Sequence, residues 1–254
     1  MGGLSMRDRL IGVVTPLLLL ALWEFCARVG LIDIRFFPAP SQIIAKLIVL
    51  ARSGELLQNS WISLQRLFWG FLVGGIPAIV IGICMGLWRP IRLAVEPLVT
   101  ATYPLPKSAI LPLVLLIFGL GEASKIAMVA LGVFYPIVIN TTTGVLQIPK
   151  IYLDVGKNFN ASPWQKFYTI ALPGALPSIF AGIKLGVGLG LILIAIAEMV
   201  GAESGVGYMI WNAWQILSID TMFVGLLTIA FIGFVLSLIL DEIEALVLPT
   251  RRGK

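Results

Sequence analysis

Six apolar runs, each near the ~20 residues that cross the hydrocarbon core of a bilayer, constrain this chain more than any other feature. They fall at about residues 10–29, 67–87, 93–118, 125–143, 178–200 and 221–240. In lipid every backbone N–H and C=O must be satisfied internally, so runs of this length form helices. A membrane barrel would instead show ~10-residue segments of alternating polarity. Composition agrees: 59% of the 254 residues are hydrophobic and 12% charged, where ordinary soluble domains carry about 25% charge. The expected fold is all-α, one polytopic membrane domain over residues 1–254 with six transmembrane helices. The first run resembles a secretory signal, but no small-residue cleavage site follows it and Glu24 interrupts its end, so it reads as a span.

Several chemistries are excluded. There is no histidine, which removes the commonest general base, proton shuttle and metal ligand. Cys26 and Cys84 lie in or beside apolar runs and read as buried small hydrophobes rather than a disulfide or a metal site. A phosphate-cradling loop needs G-x-x-x-x-G-K-[ST]. The only Gly-Lys pairs are Gly156-Lys157, followed by Asn158, and Gly253-Lys254, and neither fits. Without a nucleophile constellation, an intramembrane enzyme is the weakest reading. The net charge of +5 sits in short loops, which points to topology rather than to nucleic acid.

Counting Lys and Arg by loop places ten on the side of the termini, the 88–92 turn and the 144–177 loop, and six on the other. The positive-inside rule then puts both termini and the 144–177 loop in the cytoplasm. Pro104, Pro106 and Pro112 must kink or break the third span. Irregular backbone at that depth survives only when buried in protein or lining a cavity. Residues 28–66 read as a long polar connection in which Ser41 caps an amphipathic surface helix reaching Leu50. The 201–220 connection, with Trp211 and Trp214, reads as interfacial. Gly70, Gly74, Ala78, Gly82 and Gly86 recur every four residues, as do Gly182, Gly186 and Gly190. Such stripes mark close helix–helix faces, within one subunit or between two.

The segment 151–173, IYLDVGKNFNASPWQKFYTIALP, is too polar to cross a bilayer. Helical spacing predicts a first helix over 151–159, with Asp154 in its early turns. Asn160 interrupts it, being one of the few residues at ease in the left-handed region. Ser162-Pro163 is a helix start, a hydroxyl cap followed by proline. Trp164, Phe167, Tyr168 and Ala171 then form a stripe. Pro173 and Pro177 are expected to stop this helix before the fifth span. Two uses fit: a knob offered to a partner, or a helix pair lying on lipid.

The same segment resembles the cytoplasmic "EAA" loop of permease subunits of binding-protein-dependent ABC importers. Asp154 stands for the acid, Val155 and Gly156 for the two small residues, Asn160-Ala161-Ser162 for G-A-S, and Ile170-Ala171-Leu172-Pro173 for the closing I-x-L-P. Asp154 in place of Glu keeps the charge with a shorter reach, and Asn160 in place of Gly is compatible with the turn. Phe37-Pro38-Ala39-Pro40-Ser41, Ser63-Leu64-Gln65-Arg66, the run from Pro104 to Leu113, and Ala197-Glu198 followed by Gly205-Val206-Gly207-Tyr208 are similar to the branch serving nitrate, aliphatic sulfonates, taurine and bicarbonate.

The resemblance implies a type I (MetI-like) permease fold in the bacterial inner membrane. It implies two permease subunits, here a homodimer, whose 144–177 loops couple to cytoplasmic ATPase subunits. Asp154, Val155, Gly156, Asn160, Ala161, Ser162, Leu172 and Pro173 would carry the coupling. ATP and Mg would be bound by the ATPase and no cofactor by this chain. A periplasmic or lipid-anchored binding protein would deliver the cargo, and lipid is the remaining partner. A stand-alone secondary transporter or channel is the alternative. Three charges are candidates for the substrate path. Glu198 closes the fifth run and either faces a cavity or snorkels. Lys107, among prolines, lines a path for an anion or packs at an interface. Arg66 attracts an anion, helps dock the binding protein, or is a plain topology charge. Lys184 is expected to snorkel, and Asp241, Glu242 and Glu244 to form a solvated or subunit-contact face.

Overall fold

The computed structural model describes residues 6–248. The terminal residues Arg251, Arg252 and Lys254, which entered the charge count, lie outside it. Eleven helices account for the described chain, and no strand occurs among the described residues. In order they are α1 (Met6–Arg28), α2 (Pro40–Arg52), α3 (Glu55–Leu87), α4 (Arg89–Thr102), α5 (Leu111–Phe118), α6 (Glu122–Leu146), α7 (Lys150–Asn158), α8 (Pro163–Lys166), α9 (Leu172–Gly201), α10 (Val206–Gln215) and α11 (Ile219–Val247).

The core is α3, α6 and α9, drawn together by the glycine stripes. A Cβ built on Gly74 would stand 2.3 Å from the Ala130 carbonyl oxygen, so the α3 and α6 backbones touch there. Gly70 meets Val129, Gly82 meets Thr141 and Gly86 meets Val145, so the two helices run parallel. On the other face of α6, Gly182 meets Pro136 and Gly186 meets Val133, and α9 runs antiparallel. Both stripes therefore pack within this chain. Between them Ala78, Val129, Val133, Ile137, Val138 and Ile194 are buried.

Two consecutive spans can be parallel only if the chain crosses back between them. That return is α4 and α5, joined through residues 103–106 and a 3-10 turn, Lys107–Ile110, and bent by 88°. The prolines break the third span as expected, and the parallel pairing makes the bent pair one crossing. Among the described residues four helical stretches are long and apolar enough to span by themselves: α3, α6, the run Pro163–Gly201 and α11. The expected first span falls on α1, part of whose side chains lie outside the described set.

One end of the bundle gathers the start of α3, the start of α6, the end of α9, and α2 and α10. The opposite end holds α7, α8 and the end of α11. Several boundaries differ from expectation. The 28–66 connection is mostly helical, because α3 begins at Glu55 and extends well beyond the apolar run. Helix α2 starts at Pro40 after Ala39, whose N–H donates to the Gln42 side chain; Ser41 is not its cap but donates to Glu24. Nor does α2 simply lie on a surface: Ile43 and Leu50 are buried against Val206, Met209, Ile210 and Val224 of α10 and α11. The 201–220 connection likewise holds a packed helix, α10, whose tryptophans face outward while Met209, Ile210 and Ala213 are buried. Helix α11 runs past the expected residue 240 to Val247, and its Asp241 and Glu244 receive the Lys184 ammonium, with Nζ 2.6 Å from Glu244. Neutralising partners, not snorkelling, hold that charge.

Candidate functional site

Three constellations occupy the two ends and the middle of the bundle. At the end that holds the close of α11, α7 and α8 form the predicted helix–turn–helix. Asn160 takes φ 48° at the turn, and the Ala161 N–H donates to the Gly156 carbonyl at 2.8 Å. Ser162 caps α8: the Gln165 N–H donates to its Oγ at 3.2 Å, and its own N–H donates to the Gln165 side chain at 2.7 Å. This reciprocal pair satisfies two donors the helix start leaves open. Gly156 is buried because a Cβ there would come 2.8 Å from Ile170.

The helix after Ser162 is not stopped by Pro173. A π-helical turn, Phe167–Ala171, joins α8 to α9, and the helical run is unbroken from Pro163 to Gly201. In a π turn each N–H reaches back five residues, and the Leu172 N–H reaches the Phe167 carbonyl. The wider turn relieves the clash between the Pro173 ring and the carbonyl four residues earlier. Pro177 is likewise absorbed within α9. The aromatic stripe divides. Phe167 and Ala171 are buried beneath Ile83, Val145 and Ile179. Trp164 and Tyr168, their rings 4.8 Å apart, stay exposed with Ile151, Tyr152, Val155 and Phe159. Asp154 is exposed and 3.6 Å from Lys157, a surface pair of little energetic weight. Val155 is exposed, and Leu172 and Pro173 sit just past the π turn.

Midway along the bundle, the break between α4 and α5 opens a cleft of about 270 Å³. Tyr103, Lys107, Ser108, Gly132, Tyr135, Leu189, Ile192, Leu193 and Ile196 line it. The Lys107 ammonium donates to the carbonyls of Thr102, Tyr103 and Leu105 at 2.8–2.9 Å. It also lies 4.1 Å from the centroid of the Tyr135 ring. Thr102 and Tyr103 end α4, where intrahelical donors run out, and Leu105 lies in the turn after it, so the side chain staples the bend it stands on.

At the other end, Arg66 and Glu198 meet. Arg66 is not an open topology charge and Glu198 neither snorkels nor lies free in a cavity; their side chains are 4% and 1% exposed. Arg66 Nη1 donates to Glu198 at 2.9 Å and to the Ser204 carbonyl at 2.7 Å. Its Nε and Nη2 form a fork onto Glu122 at 2.6 and 2.5 Å. Glu198 also accepts from the Ser63 hydroxyl at 2.8 Å and from the Gly207 N–H at 2.9 Å. Asn59 receives the Gly205 N–H, and Ser63 the Val206 N–H. The carboxylate thus stands at the positive N-terminus of α10. Gly205 has φ 110°, and a Cβ there would lie 2.3 Å from the Glu198 carboxyl carbon. Lys125, counted among the charges of the outer side at the start of the fourth run, is buried and donates to the carbonyls of Leu120 and Gly201. The candidate path residues are therefore not one group: Arg66 and Glu198 are partners at one end, and Lys107 stands apart in the middle. Beyond both, on the loop after α1, Arg35 donates to Asp33 at 2.8 Å and holds that exposed carboxyl below its usual range.

Sequence reasoning missed Lys125, Glu122, Ser63, Asn59 and Ser204 as members of this cluster, and Tyr103 and Tyr135 as cleft walls. The signals were present as separate short motifs. The stretch from Ser63 to Arg66, the Ala197-Glu198 pair and the 205–208 run are the pieces that the fold brings together.

Residues 78–253 match the family described as binding-protein-dependent transport system inner membrane component. The taurine transport system permease protein TauC of Escherichia coli (strain K12) is 32% identical over 96% of this chain and 90% of its own. The putative aliphatic sulfonates transport permease proteins SsuC of Bacillus subtilis (strain 168) and of E. coli (strain K12) are each 33% identical. They cover 87% and 86% of this chain and 80% and 83% of their own.

Proposed function

Because this chain belongs to the family of binding-protein-dependent transport system inner membrane components, as a multi-pass permease subunit of an ABC importer, we propose that its cargo is a small anion of the sulfonate or taurine kind. Nitrate and bicarbonate are the inorganic members of the same class. The permease itself is not an enzyme. ATP and Mg are bound and hydrolysed by a partner ATPase, and a binding protein supplies the anion from the far side of the bacterial inner membrane. Two copies of the chain form the path. The α7–α8 knob and both termini face the cytoplasm, and the Arg66–Glu198 end faces outward.

The observation that carries this reading is the knob and its attachment. Six exposed apolar side chains, from Ile151 to Tyr168, sit on a polar loop at the head of one helical run of 39 residues, Pro163–Gly201. At 1.5 Å per residue such a rod is roughly 58 Å long. A push on Trp164 at the ATPase is delivered along it to Glu198 at the opposite end. Asp154, Val155, Gly156, Asn160, Ala161, Ser162, Leu172 and Pro173 shape the knob and its joint to the rod, and these are the coupling residues.

Reconstitution tests it. The chain, its ATPase and its binding protein in liposomes should accumulate ethanesulfonate or taurine only with ATP inside the cytoplasmic compartment. Uptake by the purified chain alone, driven by an ion gradient, would overturn the assignment in favour of a secondary transporter.

A further inference from the structure

Arg66, Lys125 and Lys184, three cations of the spanning helices α3, α6 and α9, all sit with carboxylates. Arg66 and Lys184 are ion-paired, and Lys125 lies in the cluster with Glu122 and Glu198. Lys107 is different. Three carbonyls and the Tyr135 ring hold its ammonium, but none of the ion pairs among the described residues includes it. Its charge is solvated by dipoles and left unneutralised near the middle of α6 and α9. An ionisable group at that depth is expensive unless it has a partner or a function.

The surroundings say what the missing partner is. The hydroxyls of Ser108, Tyr103 and Tyr135 make no hydrogen bond to protein among the described residues, and all three line the same cleft as Lys107. Each is a free donor. The lining that α9 contributes is aliphatic: Leu189, Ile192, Leu193 and Ile196. The cleft therefore offers an uncompensated positive charge and three hydroxyl donors from the bend and α6, and a hydrocarbon surface from α9. The ammonium protons are already used, so the hydroxyls would meet the anion's oxygens while Lys107 supplies the field.

We propose that this cleft is an anion-binding site of the permease itself, selective for a small organic oxyanion that carries a short aliphatic tail over a bare inorganic one. A sulfonate head fits the Lys107, Ser108 and tyrosine side, and its alkyl group fits Ile192 and Ile196. A tailless oxyanion leaves the aliphatic wall unused. The site deepens the reading of the chain as an anion permease and rests on it. It adds a selectivity step inside the membrane, after the binding protein has released its cargo.

The test uses the permease–ATPase complex in nanodiscs without binding protein, in a Cys26→Ser, Cys84→Ser background carrying Ser108→Cys. The anionic reagent sulfonatoethyl methanethiosulfonate is compared with the cationic trimethylammonioethyl reagent, each normalised to a free thiol. The anionic reagent should win by roughly tenfold or more, given one charge within a few ångströms. Lys107→Met should abolish that preference, and ethanesulfonate should slow labelling at concentrations where nitrate does not. Equal rates for the two reagents, no protection by ethanesulfonate, or equal protection by nitrate would each overturn the proposal. If the Ser108→Cys complex does not assemble, Ile192→Cys reports on the same cleft by the same comparison. Labelling does not depend on turnover, so a failed cleft and a failed importer give different results: the first leaves ATP-driven uptake intact with no charge preference at position 108, and the second leaves the preference without uptake.

Discussion

Arg66 and Glu198, 132 residues apart in the chain, lie 2.9 Å from each other with both side chains almost wholly buried. The pair fastens α3 to the end of α9 and, through Ser63, Gly205 and Gly207, to the start of α10. Removing Arg66 strands the buried Glu198 carboxylate, whereas removing Glu198 leaves Arg66 paired with Glu122. Arg66→Met should therefore destabilise the permease by about 3–5 kcal/mol and Glu198→Gln by less, and the double variant should lose less than the two single effects summed. Thermal unfolding of the three variants in detergent measures the coupling; strictly additive losses would mean the two charges do not act as a pair.

The α3–α6 contact predicts opposite results from two glycines. Gly74→Ala forces a methyl to 2.3 Å from the Ala130 carbonyl and should cost about 1–3 kcal/mol through overpacking. Gly188→Ala has nothing within 4 Å and should be neutral or stabilise by up to about 1 kcal/mol through helix propensity. Melting temperatures of the two variants, prepared side by side, decide it.

At the knob, Asn160 is the hinge because its φ is positive. Asn160→Gly should preserve transport, whereas Asn160→Val, β-branched in the left-handed region, should strain the turn by about 1–3 kcal/mol. The readout is ATP hydrolysed per anion imported, which should rise for the valine variant and stay level for glycine.

Two further changes separate folding of the knob from its contact with the ATPase. Ser162→Ala removes a cap worth about 1 kcal/mol and should loosen α8. Asp154→Lys leaves the helix in place but reverses the exposed charge beside Lys157. Both should leave the chain in the membrane and uncouple hydrolysis from transport. If each retains wild-type coupling, the loop has been given the wrong role.

The membrane class, the broken third span and the Ser162 cap were legible in the sequence because each depends on neighbours along the chain. Apolar run length sets a span, three prolines break a helix, and Ser-Pro starts one. The same locality explains the errors. Pro173 reads as a stop only if the turn before it is α-helical; the π turn at 167–171 removes the clash, and nothing within 151–173 alone announces it. Lys125 reads as a topology charge at the mouth of the fourth span until Gly201 is seen to approach it from another helix.

Taken by itself, the sequence determined that this chain is a bundle of membrane helices with a polar, capped knob between the fourth and fifth apolar runs. Backbone groups that cannot find water must bond within their own segment, so length and polarity suffice for that much. Only the tertiary structure decided which glycines meet, that α3 and α6 run parallel, and that the bent α4–α5 pair must therefore cross. It alone turned Arg66 and Glu198 from two isolated charges into one clamp, while leaving Lys107 without a counter-charge. Those outcomes depend on which helices stand side by side, and a buried charge is defined by what lies across from it rather than by its neighbours in sequence.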